Sequence, residues 1–310
     1  MSESPSICLN MIVKNEAHVI ERCLRSVKPF ISAWAILDTG STDSTPELVK
    51  GALQGVPGAL HQFPFEGFAA SRNRALDLAL EVCPDGHILF LDADAEFQAP
   101  EGWSPSLDSD ALHLRHVLGD YEYWKPILVR ASLPWRWKAQ IHEYLDLAPG
   151  FSCRKLEGAW VHERHEGARS KDPNTHAKDA ILLEGMDLAD TRNVFYLAQS
   201  YGDSGQWDKA LQMYLKRAAM GGWDEEIYFS ILQTARIMAW KGYPKEFVIM
   251  TYLLAYEARP SRAEPLGYLA DFLAASMPKT GRMFADICKQ KPIPTQDLLY
   301  IERKFYGENK

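Results

Sequence analysis

Three carboxylates follow an apolar run in the segment LFLDADAEF, residues 89–97. Asp92 and Asp94 are two positions apart, so if the preceding strand continues through them, both side chains lie on one face. Oxygen ligands of this kind suit Mg²⁺ or Mn²⁺, which commonly join a few carboxylates to the oxygens of a bound diphosphate. A polar turn after a buried strand explains a bare DxD motif equally well, so this segment needs support from elsewhere in the chain.

That support comes from a second acid in the segment ILDTGSTDST, residues 36–45. Asp38 follows a short apolar run, as Asp92 does, and both runs are predicted strands of one parallel sheet. Because ligands of such sheets bind at the carboxyl ends of the strands, we expect Asp38, Asp92 and Asp94 to face the same edge.

The elements that position these acids alternate between strand and helix in the first hundred residues. Residues 6–14, residues 33–38, which a Gly-Ser-Thr turn follows, and residues 86–94 are predicted strands. Residues 15–27, a segment beginning at Thr45–Pro46, and residues 67–83 are predicted helices. This alternation predicts an α/β fold with a mostly parallel sheet.

The pattern changes in the second half of the chain. After Pro100 it becomes irregular, with a predicted return strand at residues 158–164, and from about Pro173 long helices dominate. Residues 193–221 are typical of a helix, a turn and a second helix, and they resemble a tetratricopeptide unit. Residues 225–276 resemble degenerate continuations of that unit, so we expect a domain boundary between residues 165 and 175.

Composition excludes several classes of function. The 310 residues are 46% hydrophobic and carry a net charge of −7, which leaves no basic footprint for nucleic acid or anionic membrane. Five scattered cysteines without a CxxC pair indicate a reducing compartment and no structural zinc. No leader-like segment and no long uninterrupted apolar run is evident, so we expect a cytoplasmic protein without a transmembrane segment.

Four motifs in order resemble glycosyltransferase family 2 of the GT-A fold. They are MIVKNEAHVIERCLRSV, ILDTGSTDST, SRNRAL and LFLDADAEF, which together span roughly residues 7–97. The resemblance is to the subgroup that has a C-terminal tetratricopeptide-like helical region. It implies an α/β, GT-A Rossmann-like, mostly parallel sheet in a catalytic domain of residues 1–170, followed by an α-helical tetratricopeptide-like domain of residues 171–310.

The resemblance also assigns roles in nucleotide binding. Asn15 and Glu16 match the family segment that lines the nucleotide pocket, and Asp38 and Asp43 match acids of the DDGSxDxT segment, the first of which contacts the base and ribose. The second acid of the family pair is replaced by Thr39. A helix cap before the helix at Thr45 is an alternative role for this segment, and both roles are compatible.

Further roles concern the diphosphate and the metal. Arg72 in SRNRAL resembles the arginine that approaches the diphosphate, where a guanidinium forms paired charged hydrogen bonds. The resemblance makes Asp94 a metal ligand and gives Asp92 contacts with ribose and metal. GT-A enzymes often take another metal ligand from the region after the last strand, where His162 is the first candidate and His165 the second. A structural role for each histidine stays open.

The general base is assigned where the chain departs from the family pattern. Family members often provide it from an acidic ED motif, which is absent here, and the closest counterpart is the segment IHEYL, residues 141–145. Glu143 is the predicted base, with His142 as its alternative or its orienting neighbour, and a purely structural pair remains an option. The QxxRW signature of processive synthases is also absent, which favours a single sugar addition.

These residues predict a metal-dependent inverting glycosyltransferase with Mn²⁺ or Mg²⁺ and a nucleotide-sugar donor, UDP-glucose being the family default. The acceptor is a glycan, a lipopolysaccharide-type sugar or a peptide, and the helical domain is expected to bind a homo-oligomer or protein partner. Aromatic residues predicted either to stack on the acceptor or to lie in the core are Tyr121, Tyr123, Trp124, Trp135 and Trp137. The alternatives are a catalytically inactive helical-repeat scaffold and a sugar-nucleotide nucleotidyltransferase.

Overall fold

A computed structural model describes residues 6–146, 150–295 and 299–307. The expectation that the chain has no leader segment depends partly on residues 1–5, and these lie outside the described residues. The chain divides into two compact units. The first contains the residues up to Gly119 together with Tyr123–Asp172, and the second contains Asp120–Glu122 and the residues from Pro173 onward.

Four parallel strands form one half of the sheet in the first unit. They are β1 (Ile7–Val13), β2 (Ala33–Asp38), β3 (Gly58–Gln62) and β4 (His87–Phe90), in the spatial order β3-β2-β1-β4. The connecting helices are α1 (Ile20–Val27), α2 (Thr45–Ala52) and α3 (Phe68–Val82). β2 and β4 are buried along their whole length, as expected for parallel strands that are covered on both faces.

The rest of the sheet is built from later strands. These are β5 (Glu96–Gln98), β6 (Ala111–Leu118), β7 (Tyr121–Arg130) and β10 (Cys153–His162), which extend the order as β4-β7-β6-β10-β5. β7 is antiparallel to β4, whereas β10 is parallel to β6 with an irregularity between Lys155 and Trp160. The short strands β8 (Trp137–Lys138) and β9 (Tyr144–Leu145) form a separate antiparallel pair.

A buried amide fixes the centre of this unit. Asn10 in β1 is 2% exposed, and its side-chain nitrogen donates to the carbonyl oxygens of Ala35 in β2, at 2.9 Å, and Ala75 in α3, at 2.7 Å. A buried polar group is tolerated only when it is hydrogen-bonded, so these contacts specify how α3 lies on the sheet. That placement matters because α3 also carries Arg72.

The second unit is α-helical. Its helices are α4 (Thr175–Glu184), α5 (Thr191–Asp203), α6 (Trp207–Ala219), α7 (Asp224–Trp240), α8 (Lys245–Ala258), α9 (Glu264–Leu273) and α10 (Pro278–Lys289). Each packs against the next along the chain. The strand β11 (Ile301–Glu302) pairs with Tyr121 and Glu122 in this unit. None of the described helices has the length and apolar character that a membrane span requires.

The predicted fold class, an α/β fold with a mostly parallel sheet followed by helices, is confirmed. The bounds and number of the elements differ from the prediction, and β10 begins at Cys153 and ends at His162 where a strand at residues 158–164 was predicted. α1 begins at Ile20 rather than at residue 15, because residues 15–19 form a turn beside the sheet edge. β4 ends at Phe90, and β3, β6 and β7 lie where no strand was predicted. The assignment of the helices as tetratricopeptide units stays a prediction.

We expect Asn10→Leu to lower the free energy of unfolding by about 1–3 kcal/mol. The substitution removes both hydrogen bonds of a buried amide and leaves the carbonyl oxygens of Ala35 and Ala75 without this donor. Urea unfolding followed by circular dichroism measures the change. Gln54→Leu, at an exposed position after α2, is the control and should stay within about 0.5 kcal/mol of the wild type. Equal stability of both variants would show that the buried amide does not fix the sheet.

Candidate active site

Residues from several chain segments meet at the carboxyl edge of the parallel strands. Asn15 and Glu16 follow β1, Asp38 ends β2, and Asp92 follows β4 by two residues. Because β1 pairs in parallel with both β2 and β4, these chain ends point the same way. The sequence therefore predicted correctly that the acids share one edge. The strand does not continue through Asp92 and Asp94, however, since residues 93 and 94 form a turn.

The loops after β1 and β2 are joined by hydrogen bonds. The Asn15 side-chain oxygen accepts from the backbone N–H of Thr42 at 2.8 Å, and Asn15 itself has a φ of 57°. The Asp43 carboxylate accepts from the backbone N–H groups of Ala17 at 3.2 Å and of Thr45 at 3.0 Å. Asp43 thus accepts from the first residue of α2 and ties the two loops together, whereas Ser44, the residue just before α2, makes no side-chain capping hydrogen bond.

Asp38 is deeply buried at the end of β2. It is 1% exposed, and its carboxylate accepts from the Ser41 hydroxyl at 2.6 Å and from the Gln62 amide at 3.3 Å. Thr39, which replaces the second acid of the family pair, is also buried, and its hydroxyl donates to the carbonyl of Val13. Thr39 therefore serves the backbone of β1 and offers no substitute for a ribose-binding carboxylate.

Arg72 lies between two carboxylates. Its Nη2 donates to Asp92 Oδ1 at 2.7 Å and its Nε donates to Glu143 Oε1 at 2.7 Å. Burial disfavours the guanidinium charge, yet these two acids raise the pKa of Arg72 above its usual range. The arginine therefore connects α3, the end of β4 and the segment before β9, and it brings the predicted base to the same place as the DxD motif.

Packing holds Arg72 in this position. Its guanidinium lies 5.0 Å from the centre of the Trp137 ring, and that ring meets Phe90 at 5.0 Å edge to face. The next residue, Asn73, exchanges two hydrogen bonds with the backbone of Trp137, at 2.8 and 2.9 Å. These two hydrogen bonds hold β8 against α3, so the Trp137 ring lies beside the Arg72 guanidinium.

A second cation, which the sequence did not indicate, acts on Asp92. Burial opposes ionisation of the Asp92 carboxyl, but Arg72 and then Lys125 lower its pKa to about 2. Lys125 lies on β7 and approaches Glu163 at 3.9 Å. Burial disfavours the Lys125 charge, while neighbouring Tyr123, Glu163 and Asp92 raise the pKa of the ammonium. Asp92 is thus held as an anion between two cations.

Glu163 links Lys125 to a buried histidine. The carboxylate Oε1 of Glu163 accepts from His116 Nδ1 at 2.6 Å, with the tautomer assigned from this contact, and from the Tyr123 hydroxyl at 3.3 Å. The rings of His116 and Tyr123 stack at 5.2 Å. Burial lowers the pKa of His116, and the hydrogen bond to Glu163 opposes that shift. Pairing of β7, β6 and β10 brings these residues together, and no local sequence pattern predicts it.

Asp94 contacts a different segment, the loop after β10. Its Oδ2 accepts from the backbone N–H groups of Glu166 at 2.8 Å and Gly167 at 2.9 Å. Glu16 accepts from the next N–H, that of Ala168, at 3.1 Å. A Cβ at Gly167 would lie 3.3 Å from Asp94 Oδ2 and 3.4 Å from Glu16 Oε1, which explains why glycine fits here. Burial, with the Asp94 charge nearby, raises the pKa of Glu16.

Ion pairs fix the same loop against α1. Arg22 contacts Glu166 at 2.5 Å and Glu96 at 3.0 Å, and Arg164 also contacts Glu96 at 2.5 Å. Further along, the Arg169 guanidinium lies 4.8 Å from the centre of the Phe68 ring at the start of α3. We name residues 164–169 the cover loop, because their contacts extend from the start of α1 to the start of α3.

The DxD carboxylates fit a metal that arrives with phosphate oxygens. Within the described residues, Asp92 Oδ2 and Asp94 Oδ1 accept no protein hydrogen bond, so each acid keeps one oxygen for a cation. No described group of three or more His, Cys, Asp and Glu side chains is arranged to hold a metal. His162 and His165 therefore do not complete a ready ligand set. Mg²⁺ is commonly bound by one or two carboxylates together with substrate phosphates.

The aromatic candidates have separate roles. Trp135 is 1% exposed and lies in the core, so it cannot stack on an acceptor. Tyr121 belongs to the second unit, where it meets Tyr300. The Lys155 ammonium lies 4.9 Å from the centre of the Trp124 ring. We name Arg72, Asp92 and Glu143 the Arg72 cluster, and of the five aromatic residues Trp137 is the one whose ring contacts Arg72.

Residues 8–108 match the protein-family model described as Glycosyl transferase family 2. A TPR repeat-containing protein of Synechococcus elongatus is 40% identical over 100 residues, which are 32% of this chain and 22% of that protein. The SPbeta prophage-derived glycosyltransferase SunS of Bacillus subtilis is 32% identical over 93 residues, 30% of this chain and 21% of SunS. The matched segment thus spans about a fifth of the length of these relatives.

Solved structures of S. aureus TarS are also similar. Full TarS is 14% identical, with 95% of this chain and 57% of that chain covered and a TM-score of 0.39. A TarS fragment, residues 1–349 in complex with UDP, is 14% identical, with 82% and 87% covered and a TM-score of 0.37. At these TM-scores the likeness supports no further argument.

We expect Asp94→Ala to speed amide hydrogen exchange at Glu166 and Gly167 by roughly 10- to 100-fold, because each N–H loses a charged acceptor worth about 1.5–3 kcal/mol. Exchange measured residue by residue by NMR tests this. Asp85→Ala, an exposed acid before β4, is the control and should leave both amides unchanged. Exchange that is equally slow in both variants would show that Asp94 does not hold the cover loop.

Proposed function

We infer that this protein, whose residues 8–108 match the model of glycosyl transferase family 2, is a glycosyltransferase that uses a nucleotide-sugar donor. One observation carries the proposal. The family segment supplies Asp38, Arg72 and Asp92, and these residues come from the carboxyl edge of the sheet and the helix packed beside it. Ligands of open parallel sheets bind at that edge.

The donor diphosphate is proposed to exchange with the acids that now contact Arg72. A guanidinium binds phosphate oxygens in the same paired geometry as it binds carboxylates, so a diphosphate competes directly with Asp92 and Glu143. When Arg72 turns to the phosphates, both acids lose their cation. Lys125, which already lowers the pKa of Asp92, remains as the second positive charge beside the leaving group. Asn15, Glu16, Asp38 and Asp43 are proposed to frame the nucleotide.

Asp92 and Asp94 are the proposed holders of Mn²⁺ or Mg²⁺, each through its remaining carboxylate oxygen, and His162 is kept as an added ligand. When bound, such an ion stabilises negative charge on a departing diphosphate. The protein holds the two carboxylates on one turn. Arg72 contacts this turn at Asp92, and the cover loop contacts it at Asp94.

Glu143 is the proposed general base, with His142 as its neighbour. An inverting transfer is a single displacement in which the acceptor hydroxyl attacks the sugar carbon, the bond to the diphosphate breaks, and the base takes the hydroxyl proton. While Arg72 Nε donates to Glu143 Oε1, that oxygen is occupied and does not accept from an acceptor hydroxyl. Donor binding at Arg72 therefore prepares the base, which links catalysis to the presence of a donor.

A uridine diphosphate sugar is the proposed donor, with UDP-glucose as the family default, and the proposed acceptor is a glycan or a peptide. A cytoplasmic site of action is proposed on the basis of the cysteines, four of which are buried thiols. Trp137 borders the Arg72 cluster and is the aromatic residue proposed to contact a sugar.

Incubation with a panel of nucleotide sugars tests the activity. We expect release of nucleoside diphosphate from at least one donor, dependent on Mn²⁺ or Mg²⁺ and lost on chelation. Asp92→Asn should lower the rate at least about tenfold, since it removes a charged contact worth about 1.5–3 kcal/mol. Asp85→Asn, the control at the other end of β4, should keep the wild-type rate.

The remaining outcomes of this panel contradict the proposal in different ways. Nucleotide binding without turnover of any donor or acceptor would favour the scaffold. Pyrophosphate release from a nucleoside triphosphate and a sugar phosphate would assign the chain to the nucleotidyltransferases. Full activity in the presence of a chelator would show that the reaction needs no metal ion. The proposed glycosyltransferase activity would still stand.

Glu143→Gln separates the base from donor binding, because glutamine keeps the size of the side chain but does not accept a proton at neutral pH. If Glu143 is the base, the transfer rate should fall by about 10²- to 10⁴-fold with donor affinity nearly unchanged. Stopped assays give the rate and calorimetric titration gives the affinity. His142→Asn is the matched comparison, and a large rate loss there with a normal rate in Glu143→Gln would transfer the role to the histidine.

A further inference from the structure

The helical unit contains a groove that the sheet-edge chemistry does not use. Its volume is about 640 Å³, and its lining comes from α6, α7 and α8. α7 packs against both of the other helices and forms the floor, with Ile231, Thr234 and Met238 in the lining. Leu211 and Leu215 line the α6 wall, and Leu254 lines the α8 wall.

The α8 wall is apolar on two faces. Val248, Tyr252 and Ala255 are buried and serve the fold. The other face carries Phe247, which is 61% exposed, and Met250, which is 57% exposed. Helical spacing places both on the same side of α8 as Leu254, which lines the groove and is 46% exposed. Leu215 on α6, 54% exposed, also lines the groove. Exposed apolar patches of this extent mark sites of interaction.

Acids border this surface. Glu257 lines the groove, and Glu246, eleven positions earlier on α8, lies on the same side of the helix three turns away. Neither carboxylate has an ion-pair partner within residues 6–146, 150–295 and 299–307. The border therefore favours a positively charged occupant.

The floor holds a buried polar atom without a partner. Thr234 is 3% exposed, and its hydroxyl makes no hydrogen bond in the described part of the chain. A threonine in a helix commonly bonds to the carbonyl four residues earlier, and an unpaired buried hydroxyl lowers stability. A polar group of a ligand in the groove would satisfy it.

We propose that this groove binds a basic amphipathic helix of another polypeptide. Two helices that flank a third at 8–10 Å leave a trough into which a fourth helix packs. The floor residues follow the spacing i, i+3, i+7, and the exposed residues Phe247, Met250 and Leu254 follow the same spacing on the wall. Such rows match the anchor positions of a docked helix.

Two other occupants fit less well. A lipid chain inside the groove would leave Phe247 and Met250 exposed on the outer part of the wall. A second copy paired by two-fold symmetry would place the same surface on both sides and bring Glu246 and Glu257 of each copy into one interface. A basic helix covers the apolar wall and also neutralises both acids.

The full chain is titrated into a fluorescent peptide of about 14 residues built from Leu at i, i+3, i+4 and i+7 and Lys elsewhere. A scrambled peptide of the same composition and a Leu/Glu peptide with the same apolar row are the comparisons. The Leu/Lys helix should bind at least about tenfold more tightly than either comparison peptide, which corresponds to about 1.4 kcal/mol.

Two pairs of variants locate the binding. Leu254→Gln should weaken binding at least about tenfold, whereas Met283→Gln, at an exposed methionine of α10, should keep the wild-type affinity within about twofold. Glu257→Gln should reduce both the preference for Lys over Glu and the salt dependence of binding. Circular dichroism of each variant checks that the helices remain folded.

Four results would overturn the proposal. The scrambled peptide could bind as tightly as the helix, or Met283→Gln could weaken binding as much as Leu254→Gln. Sedimentation velocity could show a dimer that Leu254→Gln abolishes, which would make a second copy the occupant. Dodecylamine could bind more tightly than the peptide with the same dependence on Leu254, which would make the groove a lipid site.

Discussion

One guanidinium determines the arrangement of the candidate site. Arg72 contacts Asp92 and Glu143 at 2.7 Å each, and these three residues come from a helix, a strand end and a loop that are far apart in sequence. That cation offsets the repulsion between the two carboxylates that it contacts. The buried Asn10 fixes α3 on the sheet, and Asn73 fixes β8 on α3, so the position of Arg72 follows from the fold.

The acids of this edge already have hydrogen-bond donors. Asp92 has Arg72, Asp94 and Glu16 have the backbone N–H groups of the cover loop, and Asp38 has Ser41 and Gln62. A diphosphate that binds Arg72 therefore exchanges with the contacts that Arg72 makes to Asp92 and Glu143. An exchange of this kind gives up little charge-pairing energy, because a diphosphate offers Arg72 the same charge and geometry that the carboxylates offer.

The sequence predicted the parts of this site that depend on local pattern. Asp38 and Asp92 follow apolar runs, and their common edge follows from parallel strands. Lys125, Glu163 and His116 could not be found in that way, because β7, β10 and β6 place them and long-range pairing sets the register of those strands. The apolar run at residues 89–91 suggested a longer strand than β4, which ends at Phe90 where the chain turns toward Arg72 and the cover loop. Trp135 and Trp137 are indistinguishable by residue type, and their different roles depend on packing alone.

We propose that a donor diphosphate replaces carboxylates on Arg72. A crystal structure of the protein with uridine diphosphate and Mn²⁺ is the sharpest test of this exchange. We expect an Arg72 nitrogen within about 3 Å of a phosphate oxygen, the usual distance for such a charged hydrogen bond, and a broken contact between Arg72 Nε and Glu143 Oε1. A complex in which uridine diphosphate binds while Arg72 keeps both carboxylates at 2.7 Å would contradict it.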